Sequence, residues 1–425
     1  MDDDGAVHPP RRRVLRTMSR CDVLVIGGGP AGTSTAIALA TRGVDVTLVD
    51  RARFPRPKPC AEFLSPEASR ILHAMGALEA VEATGAARLC GVVVRAPNGS
   101  LIRGEFLSGH GYRPFSDRGL SVRREVLDQV LLDRARAAGV RVHEGVRATG
   151  LRLDDGVVRG ADLLADGGRA EAIEASLVVG ADGLRSVVAR RLGLSRAARW
   201  PRRLALVSHY ENVGDITDVA EMHVERDGFV GIGDVGHGLT TVALVIPASR
   251  ARQMSGDTAG YLDAWLRARP HLAPRFAMAK RVSPVRTTGP FGSQVRRAWA
   301  PGALLVGDAA DFFDPFTGEG IFAALYGGEL AAAAARDALD APDEAGRRRA
   351  LGNYEGARKN AFGGKWLVER FIATVVGTPW LINRAADALS RRRDLADLLI
   401  GVTGDVVPPR EIVNVRYVLS AFGLL

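Results

Sequence analysis

Cysteine is scarce in this 425-residue chain. Cys21, Cys60 and Cys90 are all it has, too few for a disulfide framework or a four-ligand zinc site. That usage fits the reducing cytoplasm, so a cytoplasmic protein without a metal centre is expected. Lysine is almost as rare (Lys58, Lys280, Lys359 and Lys365), so arginine carries nearly all of the formal net charge of +9. Aromatic residues are few, and no basic stripe is interleaved with them, which speaks against a nucleic-acid surface. No apolar run reaches the roughly 18–20 residues of a membrane span. The nearest, 366–382, is interrupted by Glu369 and Arg370, and Pro379 would break a continuing helix. What remains is an ordinary globular composition, 47% hydrophobic and 25% charged, over a length that suggests two or three domains. Residues 1–20 read as a disordered tail, with Met18 as a second possible start.

The first strong pattern is a phosphate cradle. Asp22–Ile26 reads as a short buried strand and is followed at once by Gly27-Gly28-Gly29-Pro30-Ala31-Gly32. A small-residue helix to Arg42 and a second strand ending at Asp50 come next. Gly27 permits the tight turn, Gly29 lets backbone approach a pyrophosphate, and Gly32 lets helix and strand pack closely. The helix N-terminus offers free N–H groups to phosphate. Asp50, with Arg51 beside it, is placed to meet an adenosine ribose. Gly231–Gly236 also fits GxGxxG, but it leads into the apolar run Leu239–Ile246 rather than a helix and reads as a β-turn.

Two further strands end in carboxylates: Ala175–Ala181 runs into Asp182-Gly183, and Leu304–Val306 into Gly307-Asp308. An acid at the carboxyl end of a parallel strand points into the ligand crevice. These three motifs, in this order, resemble the single-FAD-domain flavoproteins, which include p-hydroxybenzoate hydroxylase-type monooxygenases, flavin-dependent halogenases and geranylgeranyl reductases. The resemblance spans about Cys21 to Leu339. It implies an α/β fold: a Rossmann-like FAD-binding domain, an inserted β-sheet substrate domain and a C-terminal helical region. It implies that Asp308 holds the ribityl chain of FAD and that Asp182 lies near the pyrophosphate and the path of a nicotinamide donor. By the same resemblance Arg124, opening a helix that runs to about Ala138, touches the FAD. The arginine often found three residues after the DG serine is Ala189 here, with Arg190 next.

The segment Asp314-Pro315-Phe316-Thr317-Gly318-Glu319-Gly320-Ile321 feeds a small-residue helix. Its amides, from Gly318 to Ile321, and the helix dipole suit the negative charge of a reduced flavin, and Pro315 would shape the approach to the ring. The run Lys58-Pro59-Cys60-Ala61-Glu62-Phe63-Leu64-Ser65-Pro66 resembles the Lys-x-Cys-Gly-x-x-Leu-Ser-Pro loop of geranylgeranyl-reductase-like proteins, with Ala61 in place of glycine. Cys60 is thereby a candidate for proton relay or substrate contact.

Alternating runs at Val92–Arg95, Leu204–Tyr210, Glu221–Glu225 and Leu239–Ile246 predict a sheet roofing the flavin, with His209, Tyr210 and His223 as polar substrate-binding candidates. The expected organisation is an FAD domain from 21–85, 120–195 and 287–340, a substrate domain from 86–119 and 196–286, and helices over 341–425. The functional expectation is an NAD(P)H- and O2-dependent monooxygenase of a hydrophobic or aromatic small molecule, acting through a C4a-peroxyflavin in secondary-metabolite tailoring. The alternative is a double-bond reductase of isoprenoids. A halogenase and a flavin electron carrier stand behind these; the Trp-x-Trp segment usual in the halogenases is absent from Thr241–Pro247. Core packing is expected of the C-terminal helices, with peripheral membrane contact the other reading. The sequence leaves the oligomeric state open.

Overall fold

A computed structural model describes residues 16–17, 20–106, 111–197, 202–254 and 256–425. Cys21–Ile26 lies in the middle of a nine-stranded sheet. Its parallel neighbours are Val46–Asp50, then Arg141–Glu144, on one side, and Ala170–Gly180, then Ala303–Leu305, on the other. Val23, Leu24, Val25, Leu48, Val49, Val178 and Val179 are wholly or almost wholly buried. Such burial belongs to a parallel sheet covered on both faces. Ala170–Gly180 serves twice: its first half pairs antiparallel with Val157–Ala165, which pairs in turn with Val146–Asp154. Arg16–Thr17 pairs with Glu171 and Ala172, so this part of the expected disordered tail is instead a strand. Residues 1–15, 18 and 19, with the alternative start Met18, lie outside the described residues.

The helices Pro30–Ala40 and Gly320–Leu339 pack closely because their contact is made of small residues. A Cβ on Gly328 would stand 2.6 Å from that of Ser34, and Ser34 Oγ donates to the Leu325 carbonyl at 2.7 Å.

The second layer is an eight-stranded sheet. Its order is Lys280–Arg281, Arg203–Glu211, Leu239–Pro247, Gly228–Asp234, Val219–Glu225, Gly91–Arg95 and Leu101–Glu105, with Arg286–Thr288 also on Arg203–Glu211. The second GxGxxG is corrected here: Gly231 and Gly233 sit inside a strand, and only Gly236 (φ 84) belongs to the turn that follows. Glycine at 231 keeps the strand's inner face low, where Met222 sulfur approaches to 3.2 Å of a built Cβ. A small sheet of Phe63–Leu64, Gly119–Ser121 and Ala87–Leu89 links the two layers.

The C-terminal helices are Glu344–Val376, Pro379–Leu389, Arg393–Thr403 and Val415–Ala421. Val368, Val376, Ile382 and Ala386 share a core with Val94, Ile102, Ala205 and Val207 of the roof sheet. Leu367, Phe371 and Trp380 remain exposed on the outside. Among the described residues no helix is long and apolar enough to cross a membrane.

Candidate functional site

The glycine turn is tight enough to forbid side chains. A Cβ on Gly32 would meet the Gly27 carbonyl oxygen at 1.8 Å, and one on Gly27 (φ 113) would meet the Ala181 carbonyl oxygen at 2.3 Å. Asp50 holds this turn in place: its Oδ2 accepts from Gly28 N–H and its Oδ1 from Ala52 N–H, both at 2.7 Å. At Gly29 the space is open, and the nearest side-chain atoms belong to Arg56 and Arg124, 3.6 and 3.8 Å from a built Cβ. Two guanidinium groups therefore converge where the helix Pro30–Ala40 presents its first amides, an arrangement suited to a diphosphate. Arg124 is buried and gripped by Asp128 through two 2.9 Å bonds, with Arg56 3.1 Å from the same carboxylate. Burial alone would lower the Arg124 pKa; Asp128 and the neighbouring Cys60 sulfur outweigh it and raise it.

Along the cleft, Asp182 accepts from Val187 N–H at 2.6 Å through Oδ2, while its Oδ1 is buried with no hydrogen-bond partner among the described residues. Burial raises its pKa. Asp308 sits on a short turn that begins at Gly307 (φ 60), with Lys58 Nζ 3.9 Å away. Lys58 loses part of its hydration in the cleft and is repelled by Arg124, and both lower its pKa. Gly318 (φ 73) turns the chain so that the helix from Gly320 begins at the cleft wall, beside Pro315 and Thr317.

The cleft widens into an apolar chamber under the roof sheet, lined by Val92, Phe106, Val207, Phe229, Ala243 and Phe316. The Lys58–Phe63 loop forms its edge. Ala61 is exposed, and the left-handed backbone of this loop falls on Glu62 (φ 65), so alanine at 61 introduces no strain. Cys60 lines the chamber and its sulfur accepts from Glu62 N–H at 3.4 Å.

The structure brings Gly29, Pro30, Ala31, Cys60, Arg124, Gly183, Asp308, Pro315, Gly318, Gly320 and Ile321 onto one continuous cavity wall. Other sequence candidates stand elsewhere. Arg51 is exposed and off this wall. Tyr210 and His223 do not reach the chamber as expected, because strand alternation turns them to the other face of the roof. There Tyr210 donates to Asp263 at 2.9 Å. His223 bonds Glu221 at 2.8 Å and stacks on His271. His209 has the opposite parity and reaches Glu62, Nε2 to Oε2 2.7 Å. Glu319 is likewise corrected: its side chain leaves the flavin side and enters a second cavity, 3.4 Å from Lys365 Nζ. Sequence reasoning missed the roles of Glu62 and Arg56, although Glu62 lies two residues from the cysteine that drew attention to the loop.

The residues present fit FAD. An unpaired buried oxygen on Asp182, two arginines converging on a helix N-terminus and a second helix start facing the chamber match the parts of a flavin dinucleotide. Among the described residues no cluster suited to a metal occurs. A family model described as an FAD binding domain matches residues 20–326. Digeranylgeranylglycerophospholipid reductase of Methanosarcina mazei is 33% identical over 330 residues, 76% of each chain. The solved structure of CmlS, a flavin-dependent halogenase, superposes with a TM-score of 0.76 at 25% identity, over 90% of this chain and 72% of that one. That of a geranylgeranyl bacteriochlorophyll reductase-like protein from Thermoplasma acidophilum does so at 0.71 and 23%, over 95% and 96%. A diphosphate cradle, the apolar cleft that adjoins it and this match over most of its length make the chain a member of the FAD-binding-domain family, a single-FAD-domain flavoprotein and FAD-dependent oxidoreductase.

Proposed function

We propose that this oxidoreductase reduces carbon–carbon double bonds of a long isoprenoid chain. The observation that carries the reading is the deep apolar chamber running from the cleft beneath the roof sheet, with the Cys60 loop at its edge. Relatives named as digeranylgeranylglycerophospholipid reductases favour it over the monooxygenase expected first from the sequence. Bound FAD supplies the hydride, and a nicotinamide donor is the proposed source of its electrons. Arg56, Arg124 and the amides after Gly29 would neutralise the diphosphate, with Asp182 near it, Asp308 would hold the ribityl chain, and the helix start at Gly320 would favour negative charge on the reduced ring. Phe106, Phe229 and Phe316 exclude water and align an apolar chain by contact alone. Cys60 stands at the chamber edge with the Arg124 guanidinium beside its sulfur, placed to pass a proton to the substrate.

The test is anaerobic incubation of the chemically reduced holoenzyme with a geranylgeranyl lipid, followed by mass spectrometry. The expected product carries two additional hydrogens for each double bond consumed. An unchanged lipid, together with an oxygen-containing product under air, would replace this reading with a monooxygenase.

A further inference from the structure

Glu62 is only 2% exposed, yet it carries a carboxylate. Its backbone also lies in the left-handed region, φ 65, which longer side chains seldom occupy. The other non-glycine residues with positive φ among those described are Asp155, Asn212, Asp215, His237 and Asp405, types that adopt it readily in turns. A conformation this unusual persists where the surroundings over-determine it, and here they do. Glu62 Oε1 accepts from Arg124 N–H at 2.8 Å, its carbonyl accepts from Val122 N–H at 3.2 Å, and its own N–H points at the Cys60 sulfur. The remaining oxygen, Oε2, meets His209 Nε2 at 2.7 Å. The far nitrogen of that ring, Nδ1, lies 3.1 Å from Ser283 Oγ, which also accepts from His209 N–H at 2.9 Å. Ser283 is half-buried between the exposed residues Val282 and Pro284. A hydrogen-bonded line thus crosses the roof edge, from the surface at Ser283, through both nitrogens of His209, to a carboxylate on the chamber wall beside Cys60.

We propose that Ser283, His209 and Glu62 form the proton path into the chamber. The proposal rests on the reductase reading, because that reaction has a proton to consume. Each reduction breaks one π bond and forms two C–H bonds. One hydrogen arrives as hydride with its electron pair, drawn through FAD from an external two-electron donor of the nicotinamide class. The other arrives as a proton with no electrons. An imidazole moves such a proton by accepting it at one nitrogen and releasing it at the other. Ser283 passes a solvent proton to Nδ1, Nε2 gives its proton to Glu62 Oε2, and Glu62 yields it to the chamber, where the Cys60 sulfur or the substrate carbon receives it. The carboxylate is then restored; the ring is left neutral with its proton on Nδ1, and a flip about its Cβ–Cγ bond returns an N–H to Glu62 before the next cycle. Glu62 reaches the reacting space; His209 and Ser283 act through it.

The test uses FAD-loaded Glu62→Gln and His209→Asn enzymes. Both should keep FAD and melt near the wild type, with KM essentially unchanged. kcat should fall roughly tenfold to a hundredfold, as for loss of a positioned acid–base group, and the solvent deuterium isotope effect on it should rise. Glu62→Asp should recover part of the rate. Turnover at the wild-type rate in both variants would overturn the path. So would a fall in kcat matched by lost FAD or raised KM with an unaltered isotope effect, the mark of a merely structural pair. If the wild type reduces no isoprenoid, the reductase reading fails by itself. The path is then judged in the oxidised holoenzyme without substrate, by 15N spectra of labelled histidine. Glu62→Gln should shift the His209 ring nitrogens, and Ser283→Ala should slow exchange of the ring proton with solvent. Unchanged spectra and exchange would overturn it.

Discussion

The strip from Asp308 to Gly320 divides two cavities of opposite character. Asp308, Phe312, Pro315, Thr317 and Gly320 belong to the walls of both. On the flavin side the strip faces Phe229, Phe291 and Ala243. On the other it turns its own Glu319 toward Glu355, Arg358, Lys365 and Glu369 of the long helix Glu344–Val376. The charged side ties the strip down. Arg358 meets Asp311 at 2.8 Å and Lys365 bridges Glu319 and Asp405 on this side, while Arg203 of the roof sheet meets Asp314 at 2.7 Å from the other. Burial raises the pKa of Asp311, Asp314 and Glu319 against the pull of these cations. One face of the strip therefore gives an apolar substrate room without directing it by hydrogen bonds, while the other fixes the loop through directional ion pairs. Shape and rigidity come from different sides of the same thirteen residues.

Filling the apolar side gives the largest expected effect. Ala205→Trp should leave FAD content intact and depress isoprenoid reduction by about a hundredfold, since even small misplacement of a reacting group has that cost. Normal turnover in this variant would show that the chamber is not the substrate's room. On the charged side, Lys365→Met strands Glu319 and Asp405 without their cation and should lower unfolding free energy by about 3 kcal/mol, read by denaturant titration. A loss equal to that of an exposed lysine would dissolve the contrast between the two cavities.

The smallest effects are read against pH, and their signs differ. Glu221, behind the roof, is pushed up by burial, but Arg275 and His223 outweigh this and set its pKa to about 2. A depressed carboxylate adds stability that is present above its unfolded pKa and is lost as pH falls through the folded one. Glu221→Gln should cost about 2 kcal/mol at pH 7 and progressively less toward pH 2. Glu369 is held well above the usual range by burial and by Glu319 and Asp311. Its contribution is present below the unfolded pKa and is lost as pH rises through the folded one. Glu369→Gln should therefore be neutral near pH 4 and stabilising by about 1 kcal/mol at pH 8. Parallel profiles for the two variants would refute the assignment of either carboxylate.

The sequence carried the nucleotide layer well because its signals are local. Gly27, Gly29, Gly32 and Asp50 lie within one strand–turn–helix–strand unit, and steric demand alone selects glycine there. The carboxylates Asp182 and Asp308 were legible as strand ends. The roof strands were legible too, but not which of their faces meets the chamber: a period of two separates His209 from Tyr210 without saying which points inward. Glu62–His209 joins residues 147 apart in sequence, and Lys365–Glu319 joins different helices, so neither pair leaves a local trace. Glu319 was misassigned for that reason. Its backbone lies at the flavin-side helix start, while a lysine a full helix away draws the side chain to the other cavity.

The close seating of Pro30–Ala40 against Gly320–Leu339 has one more consequence. Each helix opens beside a glycine turn at a different end of the cleft, one at the diphosphate arginines and the other at the chamber mouth. Ser34 and Gly328 lock the pair side by side, so the gap between the two openings cannot stretch or shrink without breaking that contact. The helix pair is a caliper set to one ligand length. A flavin cut back to riboflavin, with no phosphate at all, would touch the jaw at the chamber mouth and leave the one at the arginines empty.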